Sequence, residues 1–252
     1  MNESRFDGMG EIYARFRPNY APEFINYIFT ELGADKNSVI ADIGSGTGKL
    51  TAQLAPRCGK IYAVEPNADM RRIAERDLKD FANYISVAMP AENTGLEANC
   101  ADIITVAQAF HWFNAQNFKA ECRRILKPGG KVVLVWNRKL DENDFMRETD
   151  ILTGKFCDSY KGRSDGALRG DSKDDDFSGL FEGKYEVLEF QNDYALNEEQ
   201  FIGGNLSSSY APKAGSENYA TYVDGLKDIF GRYQTGGVVV IPNVTRCFAG
   251  EV

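Results

Sequence analysis

Short apolar runs alternate with amphipathic segments along the first half of the chain. Runs of five to seven mostly apolar residues predict strands at residues 39–43, 60–64, 84–88, 101–107 and 130–136. Between and before them, apolar residues recur at helical spacing at residues 22–32, 49–57, 67–81 and 115–126. Strands that alternate with helices in this way indicate βαβ units, whose crossovers make the strands parallel.

The pattern changes after Asn137. Residues 141–181 are polar, and glycine, serine and aspartate concentrate at 162–179, which is typical of an insertion. Two late strands are predicted at residues 185–190 and 237–241, with helices between them at 198–209 and 218–233. Two late strands that are joined by a long segment suit an antiparallel addition at the edge of the sheet.

Together these elements predict one α/β domain over residues 1–252. Its fold would be doubly wound and Rossmann-like, with a mostly parallel seven-stranded sheet, an antiparallel edge strand and a helical lid insertion. Residues 34–137 would form the ligand-binding core, and residues 141–181 and 196–234 would be insertions that bind the second reactant.

Composition narrows the classes of partner. The chain has 29 Lys and Arg against 37 Asp and Glu, a formal net charge of −8, which would repel a phosphate backbone, so we expect no nucleic-acid partner. No window approaches the roughly 20 apolar residues of a bilayer span, and the first residues lack a secretion signal, so we expect a cytoplasmic protein with no membrane partner. The five cysteines are scattered and form no CxxC pair, which predicts reduced thiols and no metal site.

The segment after the first predicted strand is rich in glycine. It reads Asp42-Ile43-Gly44-Ser45-Gly46-Thr47-Gly48 and leads directly into a predicted helix. Glycines allow a ligand to approach the backbone closely, and the first turn of a helix offers unpaired N–H groups to an anionic group. Such a loop predicts a ligand site, although a purely structural turn is the alternative.

Glu65 strengthens this prediction. It lies nineteen positions after Gly46, at the carboxyl end of the second predicted strand. A carboxylate in that position can accept hydrogen bonds from both ribose hydroxyls of an adenosine. The dinucleotide pattern is GxGxxG, whereas this loop reads GxGxG with Lys49 at the place of the third glycine. A nicotinamide cofactor is therefore disfavoured but stays an alternative.

Four ordered motifs resemble class I S-adenosylmethionine-dependent methyltransferases. They are residues 39–48, Val64-Glu65-Pro66-Asn67, Ala91-Glu92 and Leu126-Lys127-Pro128-Gly129-Gly130. The resemblance is strong over residues 10–137 and loose beyond them. It implies S-adenosyl-L-methionine as the cofactor and a seven-stranded Rossmann-like core.

The same resemblance implies a role for each motif residue. Asp42 would lie near the amino group of the methionine end, Glu65 would bind the ribose, and Pro66 and Met70 would flank the adenine. Ala91 and Glu92 would close over the adenine edge. Many relatives carry an aspartate just before this pair, where this chain has Pro90. The other residues assigned to the cofactor are Gly44, Ser45, Gly46, Thr47, Gly48 and Gln108.

Aromatic residues follow the fourth predicted strand in the sequence Gln108-Ala109-Phe110-His111-Trp112-Phe113. They would either form an apolar wall that orients the acceptor or pack against the next helix. His111 is the only histidine, and its ordinary pKa suits a general base, although a structural histidine is the common alternative.

This aromatic stretch also resembles a small-molecule subgroup that includes the trans-aconitate methyltransferases. The N-terminal sequence Tyr13-Ala14-Arg15-Phe16-Arg17-Pro18-Asn19-Tyr20 is similar to the same subgroup. The likeness implies that Tyr13, Arg17 and Tyr20 lie near the methionine end or the acceptor, together with His111 and Trp112.

The expected function is methylation of a small-molecule acceptor, with a carboxylate as one candidate. No Asn/Asp-Pro-Pro-aromatic motif follows the fourth strand, which argues against methylation of a nucleic-acid base. A nicotinamide-dependent oxidoreductase and a noncatalytic S-adenosylmethionine-binding protein are the alternatives. The sequence specifies no oligomeric state.

Overall fold

The computed structural model describes residues 18–140, 143–157, 160, 176–183, 185–208 and 210–252. Its main sheet has seven strands in the order β3-β2-β1-β4-β5-β9-β6. The strands are β1 Val39–Ile43, β2 Lys60–Val64, β3 Tyr84–Val87, β4 Ala101–Ala107, β5 Leu126–Lys139, β6 Glu186–Gln191 and β9 Asn243–Gly250. Strands β1 to β5 are parallel, and β9 runs antiparallel to both β5 and β6. The predicted Rossmann-like sheet is confirmed, with its antiparallel strand one position in from the edge.

Local sequence explains where the helices of the core begin. They are α1 Pro22–Thr30, α2 Lys49–Leu54, α3 Ala68–Asp77 and α4 Ala115–Ile125, and a short 3-10 helix Ala55–Arg57 extends α2. Pro22 occupies the first turn of α1, where no N–H is needed. The side chain of Asn67 caps α3 by accepting from Met70 N, and Asn114 caps α4 by accepting from Asn117 N. The helix predictions are confirmed to within a few residues.

The predicted position of one strand in the sheet was wrong. Residues 237–241 were expected to complete the sheet, but β8 Val239–Ile241 instead pairs with β7 Tyr194–Leu196 in a separate two-stranded sheet. The strand that completes the main sheet is β9, which the sequence pattern missed. Pro242 separates the two strands, and Asn243, Thr245 and Arg246 interrupt the apolar run of β9 although all of them are buried.

Apolar clusters cover both faces of the sheet. One face packs on α4 and on residues 177–181, with Phe118, Phe177 and Phe248 at its centre. The other face packs on α1 and α2, with Phe24, Ile40 and Leu54 fully buried. Strands β1 and β4, in the middle of the parallel part, are therefore buried on both sides, which explains their nearly continuous apolar runs.

A third cluster lies within the predicted insertions. The helices α5 Asp144–Phe156, α6 Glu198–Leu206 and α7 Tyr219–Tyr233 pack with β7 and β8 around Phe145, Phe201, Tyr222 and Leu226. The described residues of the insertions therefore have a hydrophobic core of their own.

Strands β5 and β9 extend beyond β4 at the carboxyl edge of the sheet. The pairing of β4 with β5 ends at Ala107 opposite Val135, whereas β5 continues to pair with β9 through Lys139 opposite Asn243. Residues 136–139 of β5 and 243–246 of β9 thus form a ribbon that extends past the end of β4, and residues 189–191 of β6 pair with β9 along its outer side. We call this segment the projecting ribbon.

In the described part of the chain, no helix combines the length and the apolar character that crossing a bilayer requires.

The buried aromatic layer predicts a stability difference. Phe118 is 0% exposed, and Phe118→Ala should lower the free energy of unfolding by about 3–5 kcal/mol because it leaves a cavity in the core. Ile151 on α5 is 73% exposed, so the control Ile151→Ala should change it by less than about 0.5 kcal/mol. Urea denaturation of both variants checks the prediction, and equal effects would contradict it.

Candidate active site

The glycine-rich loop is fixed to the second strand. Gly44 N and Ser45 N both donate to the carbonyl of Val64, at 2.8 and 3.1 Å, and Gly48 N donates back to Ser45 O at 2.9 Å. The loop therefore lies at the carboxyl edge where β1 and β2 end side by side, which is where open α/β sheets bind ligands.

The three glycines of the loop have different surroundings, although each has a positive φ, between 57° and 80°. A Cβ on Gly44 would lie 2.6 Å from the Cβ of Ala109, and one on Gly48 would lie 2.7 Å from Leu78 Cδ1. A Cβ on Gly46 would meet no atom within 4 Å. Gly44 and Gly48 are thus required for packing, whereas Gly46 borders open space.

Glu65 joins the loop to the start of α3. Its Oε2 accepts from Gly46 N at 2.9 Å, and its Oε1 accepts from Asn67 N at 2.8 Å. The residue is buried, and burial raises the pKa of its carboxyl, against the opposing effect of these N–H donors and of Arg71. Each carboxylate oxygen keeps a further lone pair that can accept from a ligand.

Asp42 lies beneath the loop. It is fully buried, and its two carboxylate oxygens accept from the hydroxyls of Thr51 and Thr105 at 2.6 and 2.9 Å. Burial raises the pKa of Asp42 to about 6, although both threonine hydroxyls oppose the shift. Asp42 therefore ties β1 to α2 and β4, and its side chain has no exposed surface.

The residues predicted to surround the adenine lie on two neighbouring segments. Met70 is buried in the first turn of α3, and Arg71 donates to the carbonyls of Glu65 and Pro66 at 3.0 and 3.1 Å. After β3, Ala91 is buried and the preceding residue, Pro90, is half-buried.

Glu92 has a bond that the sequence did not indicate. Its Oε1 accepts from Asn114 N at 2.7 Å. The loop after β3 is thereby tied to the start of α4, so one oxygen of this carboxylate has a structural partner.

The segment after β4 leaves the strand through a left-handed residue. Gln108 has φ of 53°, and its N–H donates to Val135 O at 2.9 Å. Such a conformation is uncommon for residues other than glycine and often marks a functional site. A 3-10 helix, Phe110–Trp112, follows and turns the chain across the carboxyl edge.

The aromatic residues of this segment divide into two groups. Phe110 is buried against Phe118 and Phe177 at ring-centroid distances of 5.9 and 5.6 Å, and Phe113 lies 5.1 Å from Phe118. These two side chains pack the core, as the structural interpretation expected. His111 and Trp112 are half-buried, with ring centroids 4.7 Å apart.

Of the N-terminal candidates, Tyr13 and Arg17 lie outside the described residues. Tyr20 is buried, and its ring lies 6.1 Å from that of Phe24. Its main-chain N–H and carbonyl pair with the side chain of Gln53 on α2, at 3.0 and 2.9 Å.

A polar network that sequence reasoning missed anchors the same segment to the projecting ribbon. Thr245 Oγ1 donates to Asn137 Oδ1 at 2.6 Å, and Asn192 Nδ2 donates to Asn137 Oδ1 at 3.0 Å and to Asn19 O at 2.9 Å. Ala21 N donates to Thr245 Oγ1 at 3.0 Å. The signal was present as polar residues, Asn137 and Thr245, within otherwise apolar strands.

The described residues contain no group of three or more His, Cys, Asp or Glu side chains arranged to hold a metal ion.

Comparison with known proteins agrees with this geometry. Residues 41–134 match the family model of a methyltransferase domain. An uncharacterized methyltransferase of Mycobacterium bovis is 34% identical over 151 residues, which are 60% of this chain and 59% of the relative. The matched segment is thus similar to methyltransferase domains.

Two further proteins are similar to this chain. An uncharacterized methyltransferase-like protein of Schizosaccharomyces pombe is 32% identical over 57% of this chain and 56% of the relative. A solved structure from Anaeromyxobacter dehalogenans, provisionally named a type II methyltransferase, shares the fold with a TM-score of 0.68, at 22% identity over 94% of this chain and 98% of that one. None of these names supports an oxidoreductase or specifies the trans-aconitate subgroup.

The chain spans about three-fifths of the length of the mycobacterial relative that it matches. The matched part contains the loop and Glu65 of the predicted cofactor site and the aromatic segment that was predicted to contact the acceptor.

The buried carboxyl of Asp42 predicts a pH dependence of stability. Its pKa is about 6 in the folded state and 3.8 ordinarily, so the folded protein binds the proton more tightly. The free energy of unfolding should fall as pH rises from about 4 through about 6, by up to about 3 kcal/mol, and then level off.

Asp42→Asn should abolish this part of the pH dependence because the amide does not titrate. The check is the difference between the unfolding free energies of Asp42→Asn and wild type, measured by urea at several pH values. A difference that stays constant from pH 4 to pH 7 would refute the raised pKa.

Proposed function

We propose that this protein transfers the methyl group of S-adenosylmethionine to a small-molecule acceptor. The observation that carries the proposal is the arrangement of Gly46 and Glu65. A backbone bend with open space above it is held by a buried carboxylate at the carboxyl edge of the sheet. This combination suits a ligand with a charged amino-acid end and a ribose.

The residues present fit the cofactor. The hydroxyl of Ser45 is buried and has no hydrogen-bond partner within the described chain, so it is free to bond the methionine end. Gly44, Gly46, Thr47 and Gly48 would form the backbone cradle around that end, and Glu65 would accept from the ribose hydroxyls.

Pro66 and Met70 would flank the adenine, with Pro90, Ala91 and Glu92 at its edge. Asn114 N already occupies one oxygen of Glu92, so we expect the main chain of this loop to bond the adenine. Asp42 would act from beneath, because its oxygens hold Thr51 and Thr105 and fix the loop in place.

When bound, the cofactor supplies an electrophilic methyl group on a sulfonium, which is a good leaving group. The chain therefore contributes orientation, exclusion of water and, for some acceptors, removal of one proton. Gln108, His111 and Trp112 follow β4 at the edge where the acceptor would bind. His111 stays the candidate base, and a carboxylate acceptor would not need one. Tyr13, Arg17 and Tyr20 stay candidates for contacts to the acceptor.

The insertions at residues 141–181 and 196–234 would cover the acceptor. The hydrophobic cluster that α5, α6 and α7 share supports this role. Helices that pack on one another can move together as a rigid body toward or away from the sheet, as a lid does.

Glu65 provides the test of the cofactor site. Glu65→Gln should weaken binding of S-adenosylhomocysteine about tenfold or more, because the amide loses charge-assisted hydrogen bonds to the ribose. Isothermal titration calorimetry measures the affinity, and NADH serves as the competing ligand. The proposal would be overturned if Glu65→Gln left the affinity for S-adenosylhomocysteine unchanged, or if the protein bound NADH more tightly than S-adenosylhomocysteine.

Asp102→Asn is the matched control. Like Glu65, Asp102 is a carboxylate that connects two segments of the core: it accepts from Val39 N at 2.7 Å and pairs with Lys127. Unlike Glu65, it lies at the amino edge of the sheet, away from the candidate site. We expect this substitution to lower stability while leaving the affinity for S-adenosylhomocysteine unchanged. A loss of affinity in both variants would mean that Glu65 acts only through stability.

A further inference from the structure

The projecting ribbon carries an unusual set of donors on one face. Trp136 and Arg138 lie two residues apart on β5 and so point to the same side, and Arg246 of β9 lies directly opposite Trp136. Their side chains are largely buried, since Trp136 is 3% exposed and the side chains of Arg246 and Arg138 are 9% and 19% exposed.

Two arginines on this face contact the same carboxylate oxygen. Arg138 Nη2 lies 3.3 Å and Arg246 Nε lies 3.5 Å from the same oxygen, Oε1 of Glu189 on β6. Charge-assisted hydrogen bonds are ordinarily about 2.7–2.9 Å long, so both contacts are loose. The side chain of Glu189 is 43% exposed, and solvent weakens its hold on the arginines further.

Two buried donors on this face are left unsatisfied. Trp136 Nε1 and Arg138 Nε have no hydrogen-bond partner in the part of the chain that the structure describes. A buried donor without an acceptor costs about 1–3 kcal/mol, and the cost is higher for a charged group. An acceptor supplied by a ligand would remove that cost.

The position of these donors relates them to the active site. The ribbon extends past the last residue of β4, and the 3-10 helix with His111 and Trp112 begins just after that residue. Trp136 stacks on Phe177 at 5.5 Å, and Phe177 contacts Phe110 of the same 3-10 helix. One continuous aromatic layer thus connects the donors with the segment that would border the acceptor.

We propose that Arg138 and Trp136 form a subsite for an oxyanion carried by the acceptor, either a carboxylate or a phosphate. Arginine presents several N–H donors in a planar fork that matches the oxygens of such a group. Glu189 holds the guanidinium of Arg138 while the subsite is empty. The proposal deepens the proposed function, on which it rests, by naming the chemical class of the acceptor.

The test measures anion binding with and without S-adenosylhomocysteine. The probes are succinate, decanoate and methyl phosphate, with succinamide and decanamide as uncharged analogues and sodium chloride at matched ionic strength as the reference. Affinities come from calorimetry. Higher affinity for succinate or decanoate than for methyl phosphate would indicate a carboxylate acceptor, and the reverse order would indicate a phosphate acceptor.

Substitutions at Arg138 and Glu189 should have opposite effects. Arg138→Gln should weaken binding of the preferred anion about tenfold or more, and Arg138→Lys should retain part of it. Glu189→Gln should strengthen binding, because it removes the competing carboxylate from the same arginine. The matched control is the exposed pair of Arg123 and Glu182, and Arg123→Gln and Glu182→Gln should leave anion affinity unchanged.

A purely structural ion pair gives a different pattern. Arg138→Gln and Glu189→Gln would then both lower stability in urea and would leave anion affinity unchanged. That result, or anions that bind no better than chloride or than their amides, overturns the oxyanion subsite. The proposed function is tested separately by S-adenosylhomocysteine binding in the same samples. If the wild type binds this ligand, the proposed function stands even when the oxyanion subsite fails. If the wild type does not bind it, the proposed function is overturned as well.

Discussion

The carboxylate of Glu65 fixes the geometry on which the candidate site depends. It accepts one main-chain N–H from the glycine-rich loop and another from the residue that caps α3. The loop after β1 and the connection from β2 to α3 are thereby fixed relative to each other at the carboxyl edge of the sheet. A charged group is buried here, and its stabilisation comes from main-chain donors that cannot move without unfolding a helix or the loop.

Sequence patterns predicted most of the core because its local and tertiary requirements agree. Strands buried on both faces produce apolar runs, and Asn67 and Asn114 occupy the capping positions that such asparagines favour. The position of the loop, of Glu65 and of the aromatic segment at the ends of parallel strands was likewise predicted from the pattern.

The parts that were not predicted depend on pairing between distant residues. Strand β9 contains Asn243, Thr245 and Arg246, whose polarity hides a strand that is buried throughout. Only its neighbours account for them, because Thr245 bonds Asn137 across the ribbon and Arg246 faces Glu189. The structural bonds of Glu92 and the buried state of Asp42 also depend on residues far along the chain.

The position of β9 has a consequence for how the molecule reaches its native state. Among the described residues, the one partner of β6 in the main sheet is β9, yet β9 follows it by about fifty residues, with the insertion helices α6 and α7 between. During synthesis, β6 therefore emerges with both of its hydrogen-bonding edges open, and the insertion helices can pack before it has a neighbour. Open strand edges invite pairing between nascent chains, so this interval is when self-association is most favoured.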